Sequence, residues 1–325
     1  MTKTPIRDGF EAGAVNDGAA LLRKGEVVAF PTETVYGLGA NALDPVAVAR
    51  IFELKERPRF DPLIVHIADR AWVERLASPI PDKARLLMDR FWPGPLTIIL
   101  NKREIVPDIV TAGLPTVGIR MPKHPIALRL VDCLGAPIAA PSANPFGYMS
   151  PTTAGDVASL FDSRLPLILD GGPCSYGIES TIVSLVDGQV RLHRHGSIAV
   201  EELAGLLGTL PEKGPDKGRC ESPGELPYHY APHTPLRIVA SLGEILTEKS
   251  CFLAFAKPAS RVGSRHVRVL SEKGDLREAA SRFFSCLIDL DRLGMEVIYA
   301  EKVPERGLGR AIMDRLRKAA TKTCG

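Results

Sequence analysis

A proline that follows a basic helix end and precedes an apolar run limits how this chain folds more than any other feature. It lies in the stretch 54–67, LKERPRFDPLIVHI. Pro58 has no backbone N–H and its ring clashes with a preceding helical turn, so a helix entering this stretch must stop. The upstream LDPVAVARIFELK predicts that helix, with Asp44 as N-cap, Pro45 at the first helical position, and Val48, Ile51 and Phe52 on one apolar face. Downstream, Pro-Leu-Ile-Val-His predicts a buried strand. Lys55, Arg57 and Arg59 fall together at the junction. Any one of them complements the helix dipole, for ~0.3–1 kcal/mol. Three around a proline, ahead of His66 at the far end of an apolar strand, point to a polyanion clamp at a strand-edge cleft.

The chain has 325 residues, 45% of them hydrophobic, enough for a full core and about two domains. Its 41 basic and 38 acidic residues leave a net charge of +3, so bulk charge demands neither nucleic acid nor an anionic membrane, and any basic site is local. The six cysteines (Cys133, Cys174, Cys220, Cys251, Cys286, Cys324) form no C-x-x-C pair and fit a reducing compartment. No apolar run approaches the ~20 residues needed to span a bilayer, and the N-terminus has no apolar signal core. The expected location is the cytoplasm.

Elements alternate along the first two thirds of the chain. A helix over 14–24 leads through Gly25 to a strand at 27–30, which ends in PTETVYGLGAN, a loop shaped to hold something. Helices follow around 71–76 and 82–91, and then a strand in WPGPLTIIL. Strands at 116–121 and 137–140 flank a helix over 124–133, and the polar loop PSANPFGYMSPTT comes after them. A helix at 154–161 precedes the strand LPLILDGG, and ESTIVSLVDGQVRLHRHGSI reads as a hairpin turning on Asp187-Gly188. The fold class is α/β, a mixed twisted sheet with flanking helices. This catalytic domain spans 1–208, Gly208 stopping its last helix. Pro, Gly and charge then dominate 209–235, an interdomain linker long enough to be functional. From 236, LRIVA, CFLAFA and a helix starting at Asp275 predict a smaller C-terminal α/β domain over 236–325.

Neither G-x-x-x-x-G-K-[ST] nor G-x-G-x-x-G after a strand occurs, so side chains must supply the charge for any bound triphosphate. Ser142 and Asn144 offer neutral donors and acceptors there, although Ser and Asn in loops usually bond their own backbone. Arg120 sits in an apolar strand, TVGIRM, where an unpaired guanidinium is costly. Its partner is a substrate carboxylate or an internal Asp or Glu, with nothing in the sequence to choose. Ser180 and Thr181, beside Glu179, line the same cleft or cap turns. A lone strand histidine such as His66 is more often structural than catalytic. The pairs His193/His195 and His229/His233 lack a third ligand at zinc spacing.

Together, FPTETVYGLG, LKERPRFDPLIVHI, FWPGPLTIIL, PTVGIRMP, APSANPFGYMSPTT, ESTIV, SPGELPYHYAPHTP and GLGRAIMDRLRKAA, in order along nearly the whole chain, resemble the YrdC-like family in its long two-domain form, the threonylcarbamoyl-AMP synthases. The resemblance implies a YrdC-like catalytic domain, a small Rossmann-like one, and a nucleotidyltransferase that makes threonylcarbamoyl adenylate and pyrophosphate from L-threonine, bicarbonate and ATP. The product would pass to a separate transferase complex that modifies the adenosine beside the anticodon in tRNA. By the same resemblance Lys55 and Arg57 are the catalytic cations. They would hold the phosphates with Ser142 and Asn144, while Thr116, Ser150 and Arg194 also contact ATP. Thr34, His66, Arg120, Ala140 and Ser180 form the threonine pocket. Tyr230 matches the position where the linker folds over the nucleotide, as a lid. Asp61 falls on a nucleotide-contact position that is usually asparagine, and its carboxylate repels triphosphate unless magnesium or Arg59 neutralises it. Mg2+ is expected with ATP, although no carboxylate stands out as its ligand.

Two other classes compete. A cationic groove could grip RNA through Lys55, Arg57 and Arg59, but interleaved aromatics are missing from the basic run. A carbamoyl-adenylate former like the related domain of hydrogenase-maturation carbamoyltransferases would carry zinc-binding and acylphosphatase-like segments, which the chain lacks. Direct RNA binding is not required by the adenylate reading.

Overall fold

The protein's structure is a computed structural model that describes residues 4–186, 188–213, 222–224, 229–240, 249–258 and 266–321. Part of the 209–235 linker, Asp187 of the predicted hairpin turn, Cys220 and Cys324 lie outside the described residues.

The first region runs β1 (Ile6–Asp8), α1 (Ala14–Arg23), β2 (Val28–Phe30), β3 (Gly37–Asn41), α2 (Pro45–Lys55), β4 (Ile64–His66), α3 (Ala71–Leu76), α4 (Asp82–Phe91), β5 (Leu96–Asn101), α5 (Asp108–Thr111), β6 (Thr116–Arg120), α6 (Pro125–Leu134), β7 (Ile138–Ala139), α7 (Ala154–Phe161), β8 (Ile168–Asp170), β9 (Thr181–Ser184), β10 (Arg191–Arg194), α8 (Val200–Leu207) and β11 (Glu212–Lys213). Its strands form one sheet in the order β1-β8-β2-β3-β7-β4-β6-β5-β9-β10-β11. Parallel pairs such as β4/β6 and β5/β9 alternate with antiparallel ones such as β2/β3 and β5/β6, so the predicted mixed sheet is what forms.

Local chemistry accounts for the elements that position the site. Asp44 caps α2 by accepting from the N–H groups of Val46 and Ala47 at 2.9 and 3.2 Å, a contact worth ~1 kcal/mol. Helix α2 then ends before Pro58, with Glu56 left-handed at φ 53°. The stretch after β2 departs from the expected loop. Its second half, Gly37–Asn41, turns back as β3 and pairs antiparallel with β2. The glycines that looked like loop residues serve close packing instead. A Cβ on Gly39 would stand 2.6 Å from the Phe30 ring and 2.7 Å from Ile138.

One face of the sheet packs Leu38, Ile51, Phe52, Val65, Leu87 and Ile98, and the other packs Phe30, Leu22, Leu130 and Leu169 under α1 and α6. The C-terminal region holds β12 (Leu236–Val239), β13 (Ser250–Ala254), β14 (Val267–Val269), α9 (Leu276–Asp291), β15 (Val297–Glu301) and α10 (Gly309–Thr321). Its sheet is wholly parallel, ordered β12-β15-β13-β14. Phe283, Phe284, Leu287, Ile312 and Leu316 build its core, and Tyr148, Met149 and Ile178 of the first region join the same cluster, so the two sheets share an apolar seam. Among the described residues no helix is long and apolar enough to cross a membrane, and Cys133, Cys174, Cys251 and Cys286 are free thiols.

Candidate active site

The C-terminal ends of β4 and β6 deliver His66 and Arg120 as direct register partners. Ser180, just before β9, lies at the Arg120 end of these strands, whereas Ala140, just after the antiparallel β7, stands beside Ile64 at the opening of β4, its N–H donating to Ile64 O at 2.9 Å. These four residues, with Thr34, Arg57, Ser142, Arg194 and Tyr230, line one cavity. Glu33 and Glu179 enter the same neighbourhood, and neither was assigned a role from the sequence.

The basic junction is less of a three-cation clamp than its sequence implied. Arg59 is exposed and stands outside the cavity lining. Lys55 is buried one layer behind the wall, where Nζ donates to the carbonyls of Ser142, at 2.6 Å, and Asn144. It pins the PSAN loop, and burial followed by the neighbouring Arg57 pushes its pKa well below the ordinary ammonium value. Arg57 alone of the three lines the cavity. Its Nε donates to Asp61 O at 3.2 Å, its Nη2 to Pro62 O at 2.9 Å, and Nη2 pairs with the Asp61 carboxylate at 2.8 Å. The Asp61 charge is therefore met by Arg57, rather than by Arg59 as the spacing suggested.

Arg120 has an internal counter-ion as well. Its Nη2 donates to Glu33 Oε1 at 2.7 Å, and Glu33 Oε2 accepts from Lys123 N at 3.0 Å. Glu33 thereby settles the internal side of the alternative left open by the sequence. Among the described residues, Arg120 Nε is nevertheless buried without a partner, and so are His66 Nδ1, His229 Nδ1 and the Tyr230 hydroxyl. Buried polar atoms are nearly always hydrogen-bonded, and four such atoms around one cavity mark a place for a polar ligand. Burial first, then Arg120, push His66 down to about 3, so it is a neutral imidazole at physiological pH. Thr34 Oγ1 shares a hydrogen bond of 2.8 Å with Thr32 Oγ1.

Arg194 closes the far side. A bulge between Leu192 and Arg194 shifts the register of β10 on β9 and re-aims this side chain. Its Nε donates to Ser180 O at 3.1 Å, its Nη2 to Ser180 Oγ at 3.2 Å, and its Nη1 to Pro223 O at 3.0 Å. Tyr230 roofs the cavity with φ at 64°, a left-handed conformation unusual for a bulky residue. His229 stacks edge-on against it at 4.0 Å between ring centroids. Ser150, Asn144 and Thr116 stand off the cavity itself. Ser150 Oγ donates to Glu179 Oε1, and Asn144 Nδ2 donates to Tyr148 O at 2.9 Å within its own loop. Thr116 opens on an adjoining pocket with Thr97, Gly118 and Pro223.

Among the described residues no group of three His, Cys, Asp or Glu side chains could hold a metal ion. The carboxylates nearest the cavity, Glu33, Asp61 and Glu179, are each paired with an arginine. This donor set does not form a magnesium cage.

Residues 20–196 match the family profile described as "Telomere recombination" (Sua5/YciO/YrdC), and residues 198–321 match "Threonylcarbamoyl-AMP synthase, C-terminal domain". A threonylcarbamoyl-AMP synthase of Pyrococcus abyssi is 42% identical over 97% of this chain and 96% of its own length. The chain belongs to the threonylcarbamoyl-AMP synthase family. A Bacillus subtilis threonylcarbamoyl-AMP synthase is 44% identical over 94% of this chain and 92% of its own. Among solved structures, P. abyssi Sua5 complexed with L-threonine superposes with a TM-score of 0.90 at 40% identity, covering 99% of this chain and 98% of that one.

Four members of this synthase's site escaped sequence reasoning. Glu33 and Glu179 were given no role of their own, although each directly adjoins residues picked out on other grounds. His229 was weighed only as a zinc ligand. Arg315 stood in GLGRAIMDRLRKAA, quoted solely for resemblance, and only the tertiary contact of α10 brings it to the site.

Proposed function

We propose that this chain makes threonylcarbamoyl adenylate and pyrophosphate from L-threonine, bicarbonate and ATP; its relatives are named threonylcarbamoyl-AMP synthases. The observation that carries the reading is the buried, unpartnered Arg120 Nε beside His66 Nδ1 at the ends of paired strands. A guanidinium already neutralised by Glu33 retains one donor facing a cavity, the arrangement that recognises a small carboxylate. The solved relative complexed with L-threonine supports the same choice of ligand.

The chemistry needs positioning more than covalent work. The threonine amine and bicarbonate give a carbamate and water. A carbamate oxygen then attacks the α-phosphorus of ATP, forming the mixed anhydride as pyrophosphate leaves. Arg120, Thr34, Ala140 and Ser180 orient threonine. His66 offers a hydrogen bond while adding no charge to a pocket that already holds three guanidinium groups. Arg57, Arg194 and Ser142 line the cavity and face the phosphates, with Lys55, Asn144 and Ser150 behind them fixing the loops, while Asp61 acts through Arg57 and Thr116 borders the nucleotide from the adjoining pocket. Fixed charge aimed at a developing oxyanion costs no reorganisation during reaction. Tyr230 and His229 exclude water from a hydrolysable product. Magnesium would travel with the ATP phosphates, and no step is assigned to it. The cytoplasm is the proposed location, and a separate transferase complex acting on tRNA the proposed acceptor of the product.

Pyrophosphate release by the purified chain with ATP and magnesium tests the reading. Release that requires both threonine and bicarbonate is expected. Release indifferent to threonine would overturn it.

A further inference from the structure

The last helix of the C-terminal domain sends two cations toward the catalytic cavity, and nothing in the reaction as proposed uses them. Arg315 and Lys318 lie three residues apart on α10 and so share a face. Arg315 is fully buried. Its Nε and Nη2 stand 3.1 and 3.0 Å from Glu179 Oε2, and its Nη1 donates to the carbonyl of His195. The guanidinium carbon also sits 5.2 Å from the centroid of the Tyr230 ring, within range of a cation–π contact. Lys318 Nζ donates to Gly224 O at 2.7 Å and to Asp314 Oδ2 at 2.9 Å. Gly224 in turn underlies Tyr230, because a Cβ built on it would come within 2.6 Å of the Tyr230 hydroxyl.

We propose that Arg315, assisted by Lys318, is a positioning residue of the nucleotide site, by which the C-terminal domain neutralises Glu179 and fixes Tyr230 and Gly224 over the cavity. The inference rests on the adenylate-forming reading of that cavity.

The physical case turns on Glu179. Its carboxylate lines the cavity, and its other oxygen accepts from Ser150. A bare carboxylate there would repel a triphosphate across a low-dielectric space. Burial alone would favour the protonated form, but Arg315 and then Arg194 hold Glu179 below its ordinary range, so its charge persists and needs a permanent counter-ion. A buried ion pair contributes little net stability compared with an apolar anchor of the same shape. An apolar side chain on α10 would join the two domains as firmly. It would leave Glu179 facing the phosphates and Tyr230 without its cationic platform.

The test compares Arg315→Met, Arg315→Lys and Lys318→Met with the wild-type chain. ATP KM and kcat come from pyrophosphate release, and the threonine Kd from calorimetry without ATP. Arg315→Met is expected to raise the ATP KM at least tenfold and leave the threonine Kd within twofold, because the Glu179 carboxylate is bonded to Ser150 and Arg315 while the Arg120 guanidinium is bonded to Glu33. Arg315→Lys restores part of the loss by keeping the charge. Adding Glu179→Gln to Arg315→Met restores part of it by removing the charge to be neutralised. A purely structural role would lower kcat through the active fraction and leave KM unchanged. A folded Arg315→Met with wild-type ATP KM overturns the inference, and so does an unaltered KM in Lys318→Met should Arg315→Met fail to fold. Wild-type release that ignores threonine would sink the functional reading itself, a separate result.

Discussion

Arg57 Nη2 lies 2.8 Å from the Asp61 carboxylate, with both side chains sealed from solvent. The guanidinium that lines the cavity therefore carries its own counter-ion. On the proposed function, a triphosphate approaching it would compete with Asp61. An internal pair of this kind keeps a buried cation tolerable in the absence of ligand, at the expense of some attraction for the ligand.

The Asp61→Asn substitution is accordingly expected to tighten ATP binding about three- to tenfold, since about 0.7–1.4 kcal/mol of competition is removed. The same change leaves Arg57 uncompensated in the empty protein and should lower its stability by about 1–3 kcal/mol. Calorimetric titration with ATP and urea unfolding, with and without nucleotide, measure both effects. A weakened ATP affinity would mean that the carboxylate is itself a ligand contact.

Arg120 pairs with Glu33 through Nη2 while Nε stays unpartnered. Lysine at this position keeps a charge for Glu33 but has no planar second donor. Arg120→Lys is expected to weaken threonine binding by about 1.5–3 kcal/mol, tenfold or more, with ATP affinity changed less than threefold. Separate titrations with each ligand check this. Equal losses for both would point to collapse of the shared cavity.

The buried histidines set an acid limit on the fold. His66 is pushed down to about 3, and His229 well below its ordinary value, by burial first and then by neighbouring arginine, Arg120 for His66 and Arg57 for His229. In the unfolded chain both titrate near 6.5. Between those limits the unfolded state binds protons that the folded state refuses, so stability is full above pH 6.5 and falls as pH drops below it. The slope is up to about 1.4 kcal/mol per pH unit for each histidine. Urea midpoints between pH 7 and pH 5 should show this decline, and His66→Gln should flatten it. An unchanged slope in that variant would assign the acid sensitivity elsewhere.

Much of this was legible in the sequence because it rested on local chemistry. Asp44 and Pro45 started α2, Pro58 ended it, and apolar runs marked β4, β5, β6 and β13. Motif order also picked out Thr34, Arg57, His66, Arg120, Ala140, Ser142, Ser180, Arg194 and Tyr230, which the fold brings to line one cavity. What stayed hidden depended on partners distant along the chain. Nothing near Gly37 in sequence reveals that 37–41 pairs with β2, since the close contact with Phe30 and Ile138 forms only after folding. Lys55 read as a phosphate ligand because its neighbours are basic, yet it is held by carbonyls 87 and 89 residues away. Arg315 lies 136 residues from Glu179, and no periodicity records such a pairing. Asp291 is similar. It accepts from the Tyr148 hydroxyl at 2.6 Å and from His233 N and Thr234 N at 3.1 and 2.7 Å, tying the linker to both domains.

That tether decides what Tyr230 can do. The backbone on its C-terminal side is fixed by Asp291 and by Ala231 N donating to Gly147 O at 2.9 Å, so the ring is held over the cavity even though φ is 64°. A non-glycine residue pays roughly 1–2 kcal/mol to remain left-handed, which only a fixed surround can sustain. The ring supplies the apolar cover, packed between Phe284 at 5.7 Å and the Arg315 guanidinium, while its hydroxyl is buried and unpartnered. Tyr230→Ala keeps the strained backbone but removes the cover. It is expected to weaken ATP binding by about 1–2 kcal/mol and to release free AMP, as water reaches the carbamoyl anhydride before it leaves the site. Tyr230→Phe keeps the cover and removes only the hydroxyl, so it should retain closure and shed little AMP. Chromatographic quantitation of AMP against pyrophosphate separates the two variants. If Tyr230→Ala held ATP as tightly as wild type and formed no excess AMP, the ring would be packing for the domain seam and not a lid.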